Sequence, residues 1–125
     1  MKETLHQWLA RRTQLPGVLA CGVRYPDKTS FTQTWSADFP AQALDNALRC
    51  MSDAFQVLKI NFFPHERARW VYEHAFLYCA RRDDGICLGI FTAKDPQTFD
   101  AAAVEYLVEE FRLLDNATPK QEAKA

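Results

Sequence analysis

A chain of 125 residues with 48% apolar and 25% charged residues has the length and composition of one ordinary globular domain. Its 15 Lys and Arg balance its 16 Asp and Glu, which disfavours nucleic-acid binding, and its 4 glycines are too few for a glycine-rich phosphate loop. No apolar run approaches the roughly 20 residues that cross a bilayer, and the first residues lack the apolar core of a signal peptide, so we expect a cytoplasmic protein without membrane insertion.

The first predicted elements are a short helix and a β-hairpin. A capping-box pattern at 4–7 precedes apolar residues at helical spacing, which predicts a helix to about Arg12. Residues 18–25 alternate and are apolar on both faces, which predicts a strand buried on both sides. We expect one face to hold Leu19, Cys21, Val23 and Tyr25, and the other Val18, Ala20 and Gly22. Turn residues at 26–29 then predict a hairpin with 30–35, in which Phe31 and Trp35 share a face.

The longest predicted helix carries two apolar stripes. Asp38 and Pro40 are typical of a helix start, and the apolar periodicity continues to about Leu58. The stripe of larger residues contains Ala41, Leu44, Leu48, Met51, Phe55 and Leu58, and the stripe of smaller residues contains Ala43, Ala47, Cys50, Ala54 and Val57. One face of one sheet cannot bury both stripes, so we expect either the domain's own loops or a second molecule to cover one of them.

The segment after this helix predicts an apolar connector at 60–65 and then more strands. Residues 66–82 also fit a helical face, but their aromatic and β-branched side chains favour two strands. The loop Asp83-Asp84-Gly85 predicts a hairpin that pairs Arg82 with Ile86. This register places Tyr78, Ala80, Leu88 and Ile90 on one face, and Leu77, Cys79, Cys87, Gly89 and Phe91 on the other. We expect the second face, which is shallow, to pack closely against a helix.

A final helix is predicted from Asp95-Pro96 to about Asp115, followed by a polar tail. We expect its inward face to hold Phe99, Ala103, Tyr106, Leu107, Phe111 and Leu114. Residues 116–125 contain no large apolar side chain and predict a flexible tail, which leaves a single domain over residues 1–115.

Candidate catalytic and metal-binding groups are few. No serine lies in a G-x-S-x-G elbow, and the acidic pairs fall on predicted surfaces. The arginines near aromatic residues superficially resemble a single-strand-binding surface, but interleaved acidic residues disfavour that interpretation. The cysteines form no C-x-x-C pair and lie in apolar runs, so we interpret them as buried, reduced thiols rather than a redox pair or a zinc site: Cys21, Cys50, Cys79 and Cys87. We expect no enzymatic activity, no cofactor and no metal.

The element order α-β-β-α-β-β-β-α, with Leu15-Pro16-Gly17-Val18 leading into the first strand, resembles the roadblock family of dynein light chains and bacterial GTPase-associated proteins over residues 3–115. The resemblance implies an α/β (α+β) fold, roadblock/profilin-like, with a five-stranded, mostly antiparallel sheet flanked by three helices. It also implies a homodimer in which the central helices pack together and the third strands pair. The family often has Asp-Gly in the first hairpin, where this chain has Asp27-Lys28.

The resemblance implies a non-enzymatic homodimeric adaptor or scaffold whose partner is a small Ras-like GTPase or another protein. The expected interface residues are Ala43, Leu44, Ala47, Leu48, Cys50, Met51, Ala54, Phe55, Trp70 and Tyr72. The periodicity alone does not decide which stripe of the central helix faces the sheet. Two alternatives remain open at this point, namely a secretion-type chaperone that binds an extended client protein and a small-ligand sensor of profilin-like topology.

Overall fold

Five antiparallel strands form one sheet in the computed structural model, which describes residues 2–35, 41–60 and 67–114. The elements are α1 (Lys2–Arg12), β1 (Val18–Arg24), β2 (Ser30–Thr34), α2 (Ala41–Ile60), β3 (Arg67–Val71), β4 (Phe76–Arg81), β5 (Cys87–Thr92) and α3 (Ala101–Leu113). Their order is the predicted one, and the two-strand interpretation of 66–82 is confirmed. The predicted helix start at Asp38 and Pro40, most of the connector, and the tail lie outside the described residues.

The sheet has the strand order β2-β1-β5-β4-β3, so β2 and β3 form its two edges. The helices α1 and α3 pack on one face, and α2 packs on the other. Because both faces of the central strands are covered, β5 is buried at every position. Among the described helices, none combines the length and the apolar character that crossing a bilayer requires.

The predicted pairing of β4 with β5 is confirmed. The Arg82 N–H group donates a hydrogen bond of 2.9 Å to the Ile86 carbonyl, and Cys79 pairs with Gly89. Tyr78, Ala80, Leu88 and Ile90 lie in the core under α1 and α3, while Leu77, Cys79, Cys87 and Phe91 lie in the core under α2. The short hairpin loop fixes this register, and the register fixes the faces.

At the start of β1 the predicted faces are wrong for two residues. Val18 packs in the core under α1 and α3 together with Cys21, whereas Leu19 packs against the core under α2. The pairing of β1 with β5 shifts register between Val18 and Ala20. An irregularity of this kind breaks the alternation of period two, so residues before it appear on the opposite face.

The large stripe of α2 packs on the sheet over two glycines. Gly22 of β1 pairs with Gly89 of β5. A β carbon at Gly22 would lie 2.9 Å from one methyl group of Leu48, and a β carbon at Gly89 would lie 2.8 Å from the other. Leu48 therefore fits where two neighbouring side chains are missing, and the predicted close packing of a helix on this shallow face is confirmed.

The helix α3 begins later than predicted. The Asp95 carboxylate accepts a hydrogen bond from the Gln97 N–H group, so Asp95 stabilises a turn instead of a helix. Asp100 is the N-cap of α3, and its carboxylate accepts a hydrogen bond of 3.2 Å from the Ala103 N–H group. The chain thus has two aspartates suited to capping, and the second one starts the helix.

The inward face of α3 also differs from the prediction. Its buried residues are Val104, Leu107, Val108 and Phe111. Tyr106 is 68% exposed, so its predicted inward position is wrong, and Ala103 is only half-buried. Val104, Val108 and Phe111 follow the spacing of one helical stripe, and this stripe leaves Tyr106 on the solvent side.

The loop between β1 and β2 holds a lysine in the left-handed backbone region. Lys28 has φ 73°, next to Asp27, whose carboxylate accepts a hydrogen bond from the Thr29 N–H group. In this region a residue with a β carbon has a steric cost of roughly 1–2 kcal/mol. Glycine avoids that cost but loses more backbone entropy on folding. We therefore expect Lys28→Gly to raise the free energy of unfolding by about 0.5–1 kcal/mol in urea denaturation.

Lys28→Ala is the matched control, since it removes the charge and keeps the β carbon. It should leave the free energy of unfolding within about 0.5 kcal/mol of the wild type. If alanine stabilised the protein as much as glycine, the lysine charge and not the backbone conformation would be the cause.

Candidate functional site

The small stripe of α2 lies along one flank of the helix, beside the face that packs on the sheet. Ala43 and Cys50 are exposed, Ala47 and Ala54 are half-buried, and Val57 is 56% exposed. These five residues are spaced by four and three positions in turn, so they form one line along the helix. We call them the outer stripe of α2.

Two aromatic residues extend this apolar surface towards β3. Trp70 packs at the margin of the core under α2, and Tyr72, which follows β3, is 44% exposed. Burial raises the pKa of the Tyr72 phenol, and the nearby Cys79 and Cys50 thiols add to the effect. Ala47 of the outer stripe and Trp70 both pack at the margin of the core under α2, so the stripe and the aromatic residues lie on the same side of the sheet.

The free edge of β3 lies beside this surface. Among the described residues, β3 pairs only with β4. The Tyr72 N–H group donates a hydrogen bond of 2.9 Å to the Ala75 carbonyl. Because hydrogen-bonded pairs alternate along an antiparallel ladder, Arg69 and Val71 direct their backbone groups away from β4. These groups are positioned to pair with a further strand.

The structure divides the ten expected interface residues into two groups. Leu44, Leu48, Met51 and Phe55 are at most 3% exposed and form the chain's own core under α2. This corrects the prediction for these four residues, because they leave no surface for a partner. The other six lie at the surface: Ala43, Ala47, Cys50, Ala54, Trp70 and Tyr72.

Sequence reasoning left two exposed apolar residues out of the expected interface. Val57 is 56% exposed, and its spacing from Ala54 was sufficient to include it. Val71 is 60% exposed, and alternation along β3 places it on the opposite face from Trp70. Only its position at a free sheet edge, which the sequence does not give, indicates a role there.

Ion pairs join the elements on the opposite face of the sheet. Arg67 of β3 contacts Glu105 and Glu109 of α3. Arg12 of α1 contacts Glu110 of α3 at 2.7 Å, and this hydrogen-bonded contact lowers the pKa of the Glu110 carboxyl group. These pairs are partly solvent-accessible and contribute little individually, so we assign them to the attachment of α1 and β3 to α3.

The described residues provide no cluster of three His, Cys, Asp or Glu side chains placed to hold a metal ion. The cysteines are all unbridged, but they differ in exposure. Cys21, Cys79 and Cys87 are buried, as expected, whereas Cys50 is exposed, which corrects the prediction for that residue. Burial raises the pKa of Cys21 to about 11 and that of Cys79 to about 12.

This difference predicts the order in which the thiols react. At pH 8 the buried thiols are protonated and shielded, so a brief native alkylation at low protein concentration should modify Cys50 alone. Denaturant without reductant should then expose all four thiols, as intact-protein mass spectrometry would record. Rapid modification of a second cysteine in the folded protein would contradict the burial.

A solved structure has the same fold. No family model matches the sequence, and no curated protein matches it. The chain superposes on the crystal structure of a Roadblock/LC7 domain from Streptomyces avermitilis with a TM-score of 0.65, over 92% of this chain and 96% of that one, at 15% sequence identity. The fold is therefore roadblock-like, in agreement with the resemblance drawn from the order of its elements.

Proposed function

Starting from this roadblock-like fold, we propose that the chain is a non-enzymatic adaptor that acts as a homodimer. Two copies join through the outer stripe of α2 and the edge of β3. The observation that carries the proposal is the outer stripe, a line of small, partly or fully exposed residues along the flank of a helix whose large stripe is already buried. The likeness of fold lends no support to the alternative of a secretion-type chaperone.

The outer stripe is suited to contact with a second copy of α2. Small side chains allow two helices to approach closely, and the stripe extends equally far on either side of Cys50, from Ala43 to Val57. An antiparallel pair with its two-fold axis near Cys50 would match the stripe with itself, as an isologous interface requires. Each stripe residue would then be buried from water in both copies at the same interface.

The edge of β3 supplies the second contact. In the arrangement that the resemblance implies, the third strands of the two copies pair across the two-fold axis. This pairing would satisfy the outward backbone groups of Arg69 and Val71. It would also shield Val71 and Tyr72, which are 60% and 44% exposed in one chain. The two contacts lie side by side, so one dimer can use both.

A small Ras-like GTPase is the partner that the resemblance favours. The test uses purified Ras-like GTPases of the same organism, each loaded with GDP or with a non-hydrolysable GTP analogue, and measures binding by calorimetry. We expect one of them to bind at least about tenfold more tightly in one nucleotide state, since an adaptor that responds to the switch must distinguish its two forms.

The same experiment tests the proposed GTPase partner independently of the proposed homodimer. The chain alone should release no phosphate from GTP, because its sequence contains no G-x-x-x-x-G-K-[ST] loop. Equal affinity for both nucleotide states, or no binding in either, would remove the GTPase from the proposal. The proposed homodimer rests on the outer stripe and is tested separately by molecular mass.

A further inference from the structure

The strand β2 forms the edge of the sheet opposite to β3. Among the described residues it pairs only with β1. The Trp35 N–H group donates a hydrogen bond of 2.9 Å to the Leu19 carbonyl, which marks a hydrogen-bonded pair at the end of the ladder. Because such pairs alternate, Ser30 and Thr32 direct their backbone N–H and carbonyl groups away from β1. These groups can pair with an added strand.

The sequence of β2 does nothing to discourage such pairing. Exposed edge strands are usually protected by charged residues, proline or a bulge. The segment Ser30–Thr34 reads SFTQT and contains neither charge nor proline, whereas β3 carries Arg67 and Arg69. Neither charge nor proline therefore protects the edge of β2 against an added strand.

A groove of about 570 Å³ lies between α1 and Phe31 of β2. Phe31 lines it from β2, and His6 of α1 stacks on Phe31 with 3.9 Å between the ring centroids. Ala10 adds a further apolar surface, while Glu3 and Gln7 are exposed residues of the same groove. Stacked rings and a methyl group favour apolar or aromatic side chains on this side.

A second groove, of about 550 Å³, follows β2 on the side of α2. Its lining is entirely polar: Ser30, Thr32, Gln42, Asp45, Asn46 and Arg49. Arg49 donates a hydrogen bond of 2.9 Å to the side-chain oxygen of Asn46. Because the groove contains one acidic and one basic residue beside hydroxyl and amide groups, it favours uncharged polar side chains.

We infer that the edge of β2 binds an extended segment of a partner protein by strand addition. Successive side chains of a strand point to opposite faces. A segment paired with β2 would therefore place every second side chain in the groove beside α1 and the others in the groove beside α2. The segment that fits alternates apolar or aromatic residues with Ser, Thr, Asn or Gln. Dimerisation through β3 uses the opposite edge and leaves two such sites in each dimer.

The probe is a displayed library of random peptides about ten residues long, selected on the full chain, because ten residues exceed the usual length of a strand. Enriched peptides should alternate apolar and polar residues, and hydrogen exchange of the Ser30 and Thr32 amides should slow when they bind. Thr32→Pro removes an outward N–H group from β2 and should weaken binding about tenfold or more. Val71→Pro removes an outward N–H group from β3 and should leave peptide binding unchanged.

Light scattering on the same variants distinguishes this site from the proposed dimer. Thr32→Pro should retain the mass and the circular dichroism spectrum of the wild type, whereas Val71→Pro should lower the mass. The inference is overturned if no peptide is enriched, if the enriched peptides lack alternation, or if they bind Thr32→Pro as tightly as the wild type. It is also overturned if Thr32→Pro yields a monomer. Should that variant not fold, unchanged exchange of the Thr32 amide in the wild type overturns it.

Discussion

Leu48→Asp is expected to unfold the domain. Leu48 is fully buried, and its two methyl groups fill the space above Gly22 and Gly89. Burial of a leucine side chain contributes roughly 1.5–3 kcal/mol, and an unpaired buried carboxylate costs several kcal/mol more. The sum approaches the whole stability of a typical domain, about 5–15 kcal/mol.

The loss of structure is measured by far-ultraviolet circular dichroism and by thermal melting. Leu48→Met is the matched control, because it preserves the volume and apolar character of the side chain and should cost less than about 1.5 kcal/mol. A folded Leu48→Asp variant with a cooperative melt close to that of the wild type would show that the large stripe does not face the sheet.

Ala47→Asp is expected to leave the domain folded and to separate the two copies of the proposed dimer. Ala47 is half-buried in the single chain and belongs to the outer stripe. Two-fold symmetry places the new carboxylate in the interface twice. A charge left unpaired in an interface typically costs 2–5 kcal/mol, so we expect the dissociation constant to rise by a factor of about 100 or more.

Gln56→Asp is the matched control for this variant. Gln56 is exposed and lies nine positions after Ala47, which places it on the opposite side of α2. It introduces the same charge outside the stripe, so the mass by light scattering should stay that of the wild type. If Ala47→Asp and Gln56→Asp had the same mass as each other, the outer stripe would have no role in association.

Local sequence signals predicted much of the sheet. The loop at Asp83-Asp84-Gly85 determined the register of β4 and β5, and with it the face of every residue in that hairpin. The exchanged faces of Val18 and Leu19 depend on pairing with β5, about seventy residues later, and no local pattern reveals such a shift. The choice between Asp95 and Asp100 as the helix start was likewise not decided by residue type, because both are suited to capping.

In the first hairpin the backbone was predictable, although its usual residue is absent. Lys28 adopts a positive φ, a backbone region that glycine adopts more readily than lysine. The Asp27 carboxylate still accepts the Thr29 N–H group and stabilises the loop. The turn therefore forms with lysine, at a cost that the glycine variant is designed to measure.

The sequence was sufficient to predict the helix that carries the candidate site, but not which side of that helix is exposed. Periodicity along α2 indicated two apolar stripes and gave no orientation. The orientation follows from Gly22 and Gly89, which lie on different strands and become neighbours only when β1 pairs with β5. Their missing side chains admit Leu48, and this contact places Ala47 at the margin of the core and Cys50 at the exposed surface.

The mass of the wild-type chain tests the central claim, that a second copy covers the outer stripe. Light scattering is measured at a protein concentration of tens of micromolar. This concentration exceeds a dissociation constant of about 1 μM, which corresponds to a binding free energy of about −8 kcal/mol. The proposed homodimer predicts twice the 14.4 kDa of one chain. A mass of 14.4 kDa at that concentration would contradict it.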